Sequence, residues 1–231
     1  MTRVLVPIEV LEGQSVSWGL IELLGTVNVT VLGYHELPEQ TPPEQAKEQF
    51  EGRANEALSD LETEFRDAGS TVDSRLVFTQ DGRSTINRVA TEVDADAYTI
   101  PGMTGDIARI LVPLSGDVAV ERILSFVEAL LGGRDIGVTL FLASDAEGAG
   151  ELLDRSATRL REQDISVETR LETGDSPFDA LVEAVSGHDA VVMGEKAPSL
   201  SSFLFGEETE RLATASVGPV LVVRNPDNRE A

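Results

Sequence analysis

Short apolar runs alternate along the chain with longer stretches in which apolar residues recur every three or four positions. The runs predict buried β-strands and the striped stretches predict amphipathic helices. The predicted strands are 4–8, 27–32, 72–78, 95–100, 109–114, 137–143, 166–172, 189–193 and 219–223, and the predicted helices are 14–24, 42–68, 84–93, 118–131, 147–163, 177–185 and 207–215. Strands that alternate with helices favour an α/β fold with a parallel, doubly wound sheet, since each crossover between parallel strands is right-handed and covered by a helix.

One hexapeptide occurs twice. RVLVPI at residues 3–8 returns as RILVPL 106 residues later, at 109–114. The strands and helices after each copy follow the same order, which predicts a tandem duplication of two doubly wound, parallel-sheet domains. The first domain, 1–104, lacks the last helix and strand, because too few residues separate Gly102 from Arg109 to hold them. The second, 108–225, is complete, and 226–231 is a polar tail.

The charge balance excludes one class of function. The chain has 41 acidic against 18 basic residues, a net charge of -23, and Lys47 and Lys196 are its only lysines. Nucleic-acid binding depends on lysine and arginine that neutralise phosphates, so DNA and RNA are not expected as partners. An acidic excess with arginine far above lysine is typical of proteins from salt-loving organisms, in which counterions screen the self-repulsion. The alternative is an acidic surface for a basic partner.

The composition also narrows the chemistry. With no cysteine and two histidines, His35 and His188, thiolate and histidine-rich metal sites are not expected. No apolar stretch is long enough to cross a membrane, and the chain begins directly with a strand, which favours a soluble cytoplasmic protein. Neither a nucleophile elbow nor a Walker-type loop is present, so an enzyme with its own turnover is the weakest hypothesis.

Three motifs together carry a family resemblance: the strand that ends in Leu-Val-Pro, the Val-Val-Met-Gly of the eighth strand with its glycine-bearing loop, and the final Gly-Pro-Val-Leu-Val-Val-Arg. The chain resembles the universal stress protein A superfamily, and its most specific part is 191–224. The resemblance covers nearly the whole chain as one truncated and one complete copy. It implies Rossmann-like domains of the adenine-nucleotide alpha-hydrolase type and a role in stress response or regulation.

In the family members that bind ATP, the fourth strand leads into Gly, two residues, Gly, nine residues, then Gly followed by Ser or Thr. Glycines let backbone amides approach phosphate, and the last Gly-Ser opens a helix whose N-terminus favours anions. Here Gly194 matches the first glycine, but Ala197 replaces the second. Gly206 follows Gly194 one residue early, and Glu207 stands where Ser or Thr would donate to phosphate. The pattern therefore predicts a degenerate nucleotide site.

Further candidates follow from the same resemblance. The family's nucleoside-binding Asp after the first strand is replaced by Glu9 in the first domain and by Ser115 in the second, where Asp117 is a possible substitute. Both Ser115 and Asp117 also suit the N-cap of a helix. Gly82 and Gly174 have two interpretations. Each is a turn glycine followed by a helix N-cap, or each belongs to a loop that borders the cleft and contacts a ligand. The full set of candidate nucleotide contacts is Pro113, Ser115, Gly174, Met193, Gly194, Ala197, Gly206 and Glu207.

Two functions remain open. The favoured one is a universal stress protein-like regulatory protein that acts through protein interaction and needs no cofactor. The alternative is a switch that binds ATP with Mg²⁺ in the second domain, and weak ATP hydrolysis would need that site plus an unidentified base. The apolar strand Val220, Leu221, Val222 and Val223 is expected either to pair two chains or to close the interface between the two domains. The family resemblance adds a possible peripheral link to a membrane transporter, without membrane insertion.

Overall fold

The fold is known from a computed structural model, which describes residues 1–38, 41, 43–114, 120–174, 177–195 and 218–225. Its strands are β1 Arg3–Glu9, β2 Asn28–Glu36, β3 Thr71–Thr79, β4 Ala97–Ile100, β5 Arg109–Pro113, β6 Gly137–Ala143, β7 Val167–Glu172, β8 Ala190–Gly194 and β9 Val220–Val223. Its helices are α1 Trp18–Leu23, α2 Pro43–Asp67, α3 Gly82–Glu92, α4 Val120–Leu131, α5 Ala149–Arg161 and α6 Pro177–Val185, with a 3₁₀ turn at Leu24–Thr26. The predicted alternation of strands and helices is confirmed, and the helix predicted at 207–215 lies outside the described residues.

Several helix starts differ from the sequence prediction, and two of them have a clear local cause. Helix α1 begins at Trp18 rather than at residue 14, because Ser17 before it has extended backbone with ψ of 144°. Helix α3 begins at Gly82 rather than at Ser84, because the Asp81 side chain accepts a hydrogen bond from the Ser84 amide and so caps the helix earlier. The spacing of apolar residues shows neither the extended backbone at Ser17 nor the cap at Asp81, so it misplaced both helix starts.

All nine strands form one continuous sheet in the order β3-β2-β1-β4-β9-β8-β5-β6-β7. Strands β1 to β4 run parallel to one another, as do β5 to β9, and the antiparallel pair β4–β9 joins the two halves. The carboxyl ends of the strands therefore lie at opposite edges of the sheet in the two halves. Any crevice at the strand ends of one half faces away from that of the other.

Strand β9 forms the joint between the two halves of the sheet, because it lies between β4 and β8. It pairs with β8 in parallel, from Val191 opposite Val220, and with β4 antiparallel, from Ala97 opposite Val223. All four of its residues are buried, because each face is covered and each edge is occupied. Of the two predicted roles of this strand, closure of the internal interface is observed. The other prediction, self-association through residues 220–223, is wrong because no edge of β9 is left to pair.

The helices divide between the two faces of the sheet. Helices α1, α2, α4 and α5 bury their apolar stripes in one cluster that runs across both halves, whereas α3 and α6 pack on the opposite face. Phe65 of α2 and Ile123 of α4 are both fully buried in the first cluster. The two halves thus share one hydrophobic core on that face, in addition to sharing the sheet.

The halves also repeat a backbone arrangement. Asp96, before β4, accepts a hydrogen bond from the Arg3 amide (2.9 Å) and its own amide donates to the Arg3 carbonyl (2.9 Å). Asp189, before β8, forms the same pair with Arg109, at 2.8 and 2.9 Å. In each half the carboxylate fixes the start of the first strand beside the start of the fourth. The internal similarity of the sequence is accompanied by a similarity of bonding.

The joint between the halves requires glycine at two positions. A Cβ atom on Gly102 would collide with the Gly218 carbonyl oxygen, and one on Gly218 would collide with the Asp189 carbonyl oxygen. The chain after β4 and the chain before β9 therefore approach backbone to backbone. Residues 101–108, which are all described, run from β4 to β5 without a helix or strand.

One histidine makes the stability of this fold depend on pH. The Nδ1 atom of His188 lies 2.7 Å from the Ala184 carbonyl and its Nε2 atom 2.8 Å from the Thr139 hydroxyl. A neutral ring satisfies both, with Nδ1–H donating and Nε2 accepting. Burial is the main cause that lowers the pKa of His188; the nearby Arg109 also lowers it, and the nearby carboxylates oppose the shift.

The folded protein is therefore expected to lose stability as pH falls from 7 to 5, because the unfolded chain, with its ordinary histidine pKa of about 6.5, binds the proton more readily. One proton changes the free energy of unfolding by at most about 1.4 kcal/mol per pH unit. Urea denaturation at fixed KCl would measure it, with His188→Gln as the comparison. An equal pH dependence in both proteins would contradict this assignment.

Candidate functional site

The second half has a crevice at the carboxyl ends of β5 and β8. The strand order reverses there, since β6 and β7 lie to one side of β5, and β8 and β9 lie to the other. Ligands of doubly wound sheets bind at such reversals, beyond the carboxyl ends of the strands. The equivalent reversal in the first half lies between β1 and β4, at the opposite edge.

Three of the predicted contacts meet at the crevice of the second half. Leu111 of β5 pairs with Val191 of β8, and extension of this register by two residues sets Pro113 level with Met193. Gly194 follows as the last residue of β8, and both Met193 and Gly194 are buried. The parallel pairing therefore brings Pro113, Met193 and Gly194 side by side.

Gly174 lies apart from them. It follows β7 with φ of +138°, which suits a turn that only glycine adopts readily. Strand β7 is three strand spacings from β8, or roughly 14 Å at the usual distance between strands. Four other predicted contacts lie outside the described residues, and their roles stay predictions: Ser115, Ala197, Gly206 and Glu207.

Glu195, the residue directly after Gly194, was not singled out by the motif comparison. Its amide donates a hydrogen bond to the Val223 carbonyl (2.9 Å), and its Oε2 accepts one from the Asn225 amide (3.0 Å). Burial raises the pKa of Tyr98, and the Glu195 carboxylate raises it further. A negative charge therefore stands at the end of β8, and the first amide after Gly194 is already used. A carboxylate directly after Gly194 was the available sequence signal.

The crevice of the first half is also lined by carboxylates. Glu9 ends β1, and its Oε1 accepts a hydrogen bond from the Tyr34 hydroxyl (3.1 Å). Burial raises the pKa of Tyr34, and the charges of Glu9 and Glu36 raise it further. Glu9, which occupies the place of the family's nucleoside-binding Asp, therefore has a partner inside the chain.

The start of α3 is occupied in the same way. The Gly82 amide donates to Glu36 Oε1 (2.8 Å), and the Ser84 amide donates to Asp81 Oδ1 (2.9 Å). The Ser84 hydroxyl donates to the other Asp81 oxygen at 2.6 Å, and this bond is the first cause that lowers the pKa of Asp81. Amides at a helix N-terminus attract anions. Here two of these amides already donate hydrogen bonds to carboxylates of the chain itself.

His35 lies between two phenylalanine rings. The His35 ring lies edge-on to Phe50 at 5.9 Å and to Phe78 at 6.3 Å, so it packs as an aromatic residue. Within the described ranges, no group of three His, Cys, Asp or Glu side chains is placed to hold a metal ion. Nor does any helix in these ranges combine the length and the apolar character that a membrane span requires.

Comparison with known proteins gives consistent matches to one family. The model of the universal stress protein family matches residues 107–224. A universal stress protein from Archaeoglobus fulgidus superposes with a TM-score of 0.66 at 14% identity, over 98% of this chain and 97% of its own. No curated protein matches the sequence.

Two further solved structures share the fold along almost the whole chain. A protein of unknown function from Pseudomonas aeruginosa superposes with a TM-score of 0.55 at 17% identity, covering 97% of this chain and 93% of its own. The cytoplasmic domain of a prokaryotic cation chloride cotransporter gives a TM-score of 0.54 at 10% identity, covering 96% and 94%. At these identities the likeness concerns the fold alone.

Proposed function

The chain belongs to the universal stress protein family, and from this premise we propose that it is a regulatory or stress-response protein that acts through protein contacts, without a working ATP site. One observation carries the proposal: the backbone and side chain of Glu195 are both engaged at the end of β8. The strand end where the family's phosphate loop begins therefore offers a carboxylate in place of a free amide.

The expected electrostatic cost to a bound nucleotide supports the proposal. A carboxylate about 4 Å from a phosphate costs on the order of 1 to 4 kcal/mol per charge pair, depending on the local dielectric. By sequence, Glu207 adds a second carboxylate where the ATP-binding members have a hydroxyl, and Ala197 removes a glycine. Either charge alone reduces affinity about fivefold or more.

The first half supports the same proposal. Its crevice presents Glu9, Glu36 and Asp81, and the last two already accept hydrogen bonds from amides at the start of α3. An incoming phosphate would have to displace them and would be repelled by them. The described segment 101–108 carries Gly102 and Gly105 at the spacing of the first two glycines of the motif, but it leads directly to β5 and lacks the nine further residues and the third glycine of the family's ATP binders.

The alternative, an ATP-dependent switch in the second half, has one observation in its favour. Pro113, Met193 and Gly194 lie side by side at the strand reversal, where doubly wound folds bind ligands. A bound Mg²⁺ would offset part of the repulsion between Glu207 and a triphosphate. Weak hydrolysis would require this site together with a catalytic base.

The class of partner is also a proposal. One structure of the same fold is the cytoplasmic domain of a cation chloride cotransporter, so a transporter is a reasonable partner, and we propose a cytoplasmic location for this chain. We further propose that the net charge of -23 is an adaptation to high salt, because molar salt screens charge repulsion beyond about 3 Å. Binding experiments on this protein therefore belong in molar KCl.

The proposal is tested by the melting temperature in molar KCl with and without millimolar Mg-ATP. We expect no shift. A ligand at 100 times its dissociation constant would stabilise the fold by about 2.7 kcal/mol, which a melting curve resolves readily. A shift that Gly206→Val abolishes would establish the ATP switch instead.

A further inference from the structure

A polar pocket lies on the joint between the two halves, at the same edge of the sheet as the crevice of the second half, but Pro113, Met193 and Gly194 are not among its lining residues. It has a volume of about 590 Å³ and is lined by residues that include Arg3, Asp94, Asp96, Arg122 and Arg224. Arg3 opens β1, Arg122 lies in the first turn of α4, and Arg224 follows β9 directly. The pocket exists because β9 sets the end of the second half against the strand starts of the first. We call it the seam pocket.

The seam pocket reverses the charge balance of the protein. The chain as a whole has 18 basic against 41 acidic residues, whereas the pocket lining has three arginines against two aspartates. One oxygen of the Asp96 carboxylate is already engaged, since Oδ2 accepts a hydrogen bond from the Arg3 amide at 2.9 Å. An anion repelled by the acidic surface would find a local excess of arginine over aspartate in the lining of the seam pocket.

Two of the arginines are held in place by neutral groups. Arg122 donates to the Arg224 carbonyl at 3.1 Å, and Arg224 donates to the Thr91 hydroxyl at 2.8 Å and to the Ala95 carbonyl at 3.4 Å. In the part of the chain that the structure describes, neither arginine forms an ion pair with a carboxylate. Within the described residues, both guanidinium groups are therefore oriented by neutral hydrogen-bond partners.

Arg224 also has one buried hydrogen-bond donor that lacks a partner in the described part of the chain. Its Nε–H has no hydrogen-bond partner among the described residues, although the atom is shielded from solvent. A buried donor of a charged group left unpaired costs free energy, which an ordered water molecule or an ion can offset by accepting the hydrogen bond. Arg3 differs, because its guanidinium already bonds Thr30 at 2.8 Å and Asp73 at 3.1 Å. Arg122 and Arg224 are the recognition groups.

We propose that the seam pocket binds a small phosphate-bearing molecule through Arg122 and Arg224. Guanidinium groups recognise phosphate by paired, charge-assisted hydrogen bonds. The volume is within the range of small-molecule sites and exceeds that of a single inorganic ion. Since the pocket contains parts of both halves, its ligand would stabilise the joint at β9. This site does not depend on the degenerate crevice of the second half.

The test is a calorimetric titration with inorganic pyrophosphate at constant KCl. The wild-type protein is expected to bind one equivalent per chain, and Arg122→Gln is expected to bind at least tenfold more weakly, because a hydrogen bond to a charged group contributes about 1.5–3 kcal/mol. Arg155→Gln is the matched control. The Arg155 side chain is 71% exposed on α5 and pairs with Glu151 one turn away, so the affinity of this variant should equal that of the wild type.

A second variant is expected to change the affinity for pyrophosphate in the opposite direction. Asp94 lines the pocket with φ of +54°, a conformation that asparagine also tolerates, so Asp94→Asn removes a negative charge with little backbone strain. It is expected to tighten pyrophosphate binding severalfold. Circular dichroism of each variant checks its fold.

Absence of saturable binding by the wild type would overturn the proposal, and so would equal affinities of Arg122→Gln and Arg155→Gln, or weaker binding by Asp94→Asn. The same variants separate this site from the ATP switch. A melting shift with Mg-ATP that Arg122→Gln abolishes belongs to the seam pocket, and one that survives it belongs to the second half.

Discussion

Replacement of Leu221 by Asp is expected to unfold both halves of the protein together. Leu221 is fully buried at the centre of β9, opposite Thr99 of β4 and Val192 of β8. The substitution removes a core side chain, at about 2–5 kcal/mol, and places a carboxylate where the described residues offer it no cation. The sum approaches the whole stability of an ordinary domain, about 5–15 kcal/mol.

Because β9 pairs with a strand of each half, its loss is expected to change the spectroscopic signals of both halves. Trp18, the only tryptophan, is on α1 in the first half and reports on that half by fluorescence, whereas circular dichroism reports on both. Both signals are expected to be lost in Leu221→Asp under conditions in which the wild type is folded. Leu171→Asp is the matched control, since Leu171 is 42% exposed on the edge strand β7. A native Trp18 signal in Leu221→Asp would show that the first half folds without β9.

The sequence allowed most of the local structure to be predicted, because strands and helices leave short-range patterns. The apolar run at 219–223 identified β9, and the spacing of apolar residues identified α2 to within one residue at each end. The family resemblance located Pro113, Met193 and Gly194, which the parallel register brings together. These features depend on residues close in sequence or on a motif that keeps its spacing.

Contacts between distant segments could not be predicted in this way. Ala97 opposes Val223, and Arg122 bonds the carbonyl of Arg224, across 126 and 102 residues of chain. The spacing of apolar residues does not show which strand pairs with each edge of β9. Pairing of two chains and closure of the internal interface were therefore both possible until the strand order was known. The seam pocket was missed for the same reason: its arginines are isolated in the sequence and meet only after the two halves join.

Restoration of the family's phosphate loop is expected to create ATP binding. The double variant Ala197→Gly and Glu207→Ser returns a glycine and a hydroxyl to two positions of the motif. Removal of one carboxylate–phosphate repulsion is worth about 1 to 4 kcal/mol, so Mg-ATP should bind at least about fivefold more tightly than to the wild type. The matched control is Ala197→Gly with Glu56→Ser, which makes the same change of charge on the exposed face of α2. Equal affinity in the double variant and its control would show that Glu207 does not oppose the nucleotide.

The most direct test of the central claim, a stress-protein fold without a working ATP site, is a calorimetric titration of Mg-ATP in molar KCl into protein that carries Arg122→Gln. This background removes the seam pocket as a second source of phosphate binding. We predict no saturable binding at millimolar Mg-ATP with the natural residues at 197 and 207. Stoichiometric, saturable binding by that protein, lost on Gly206→Val, would contradict the account.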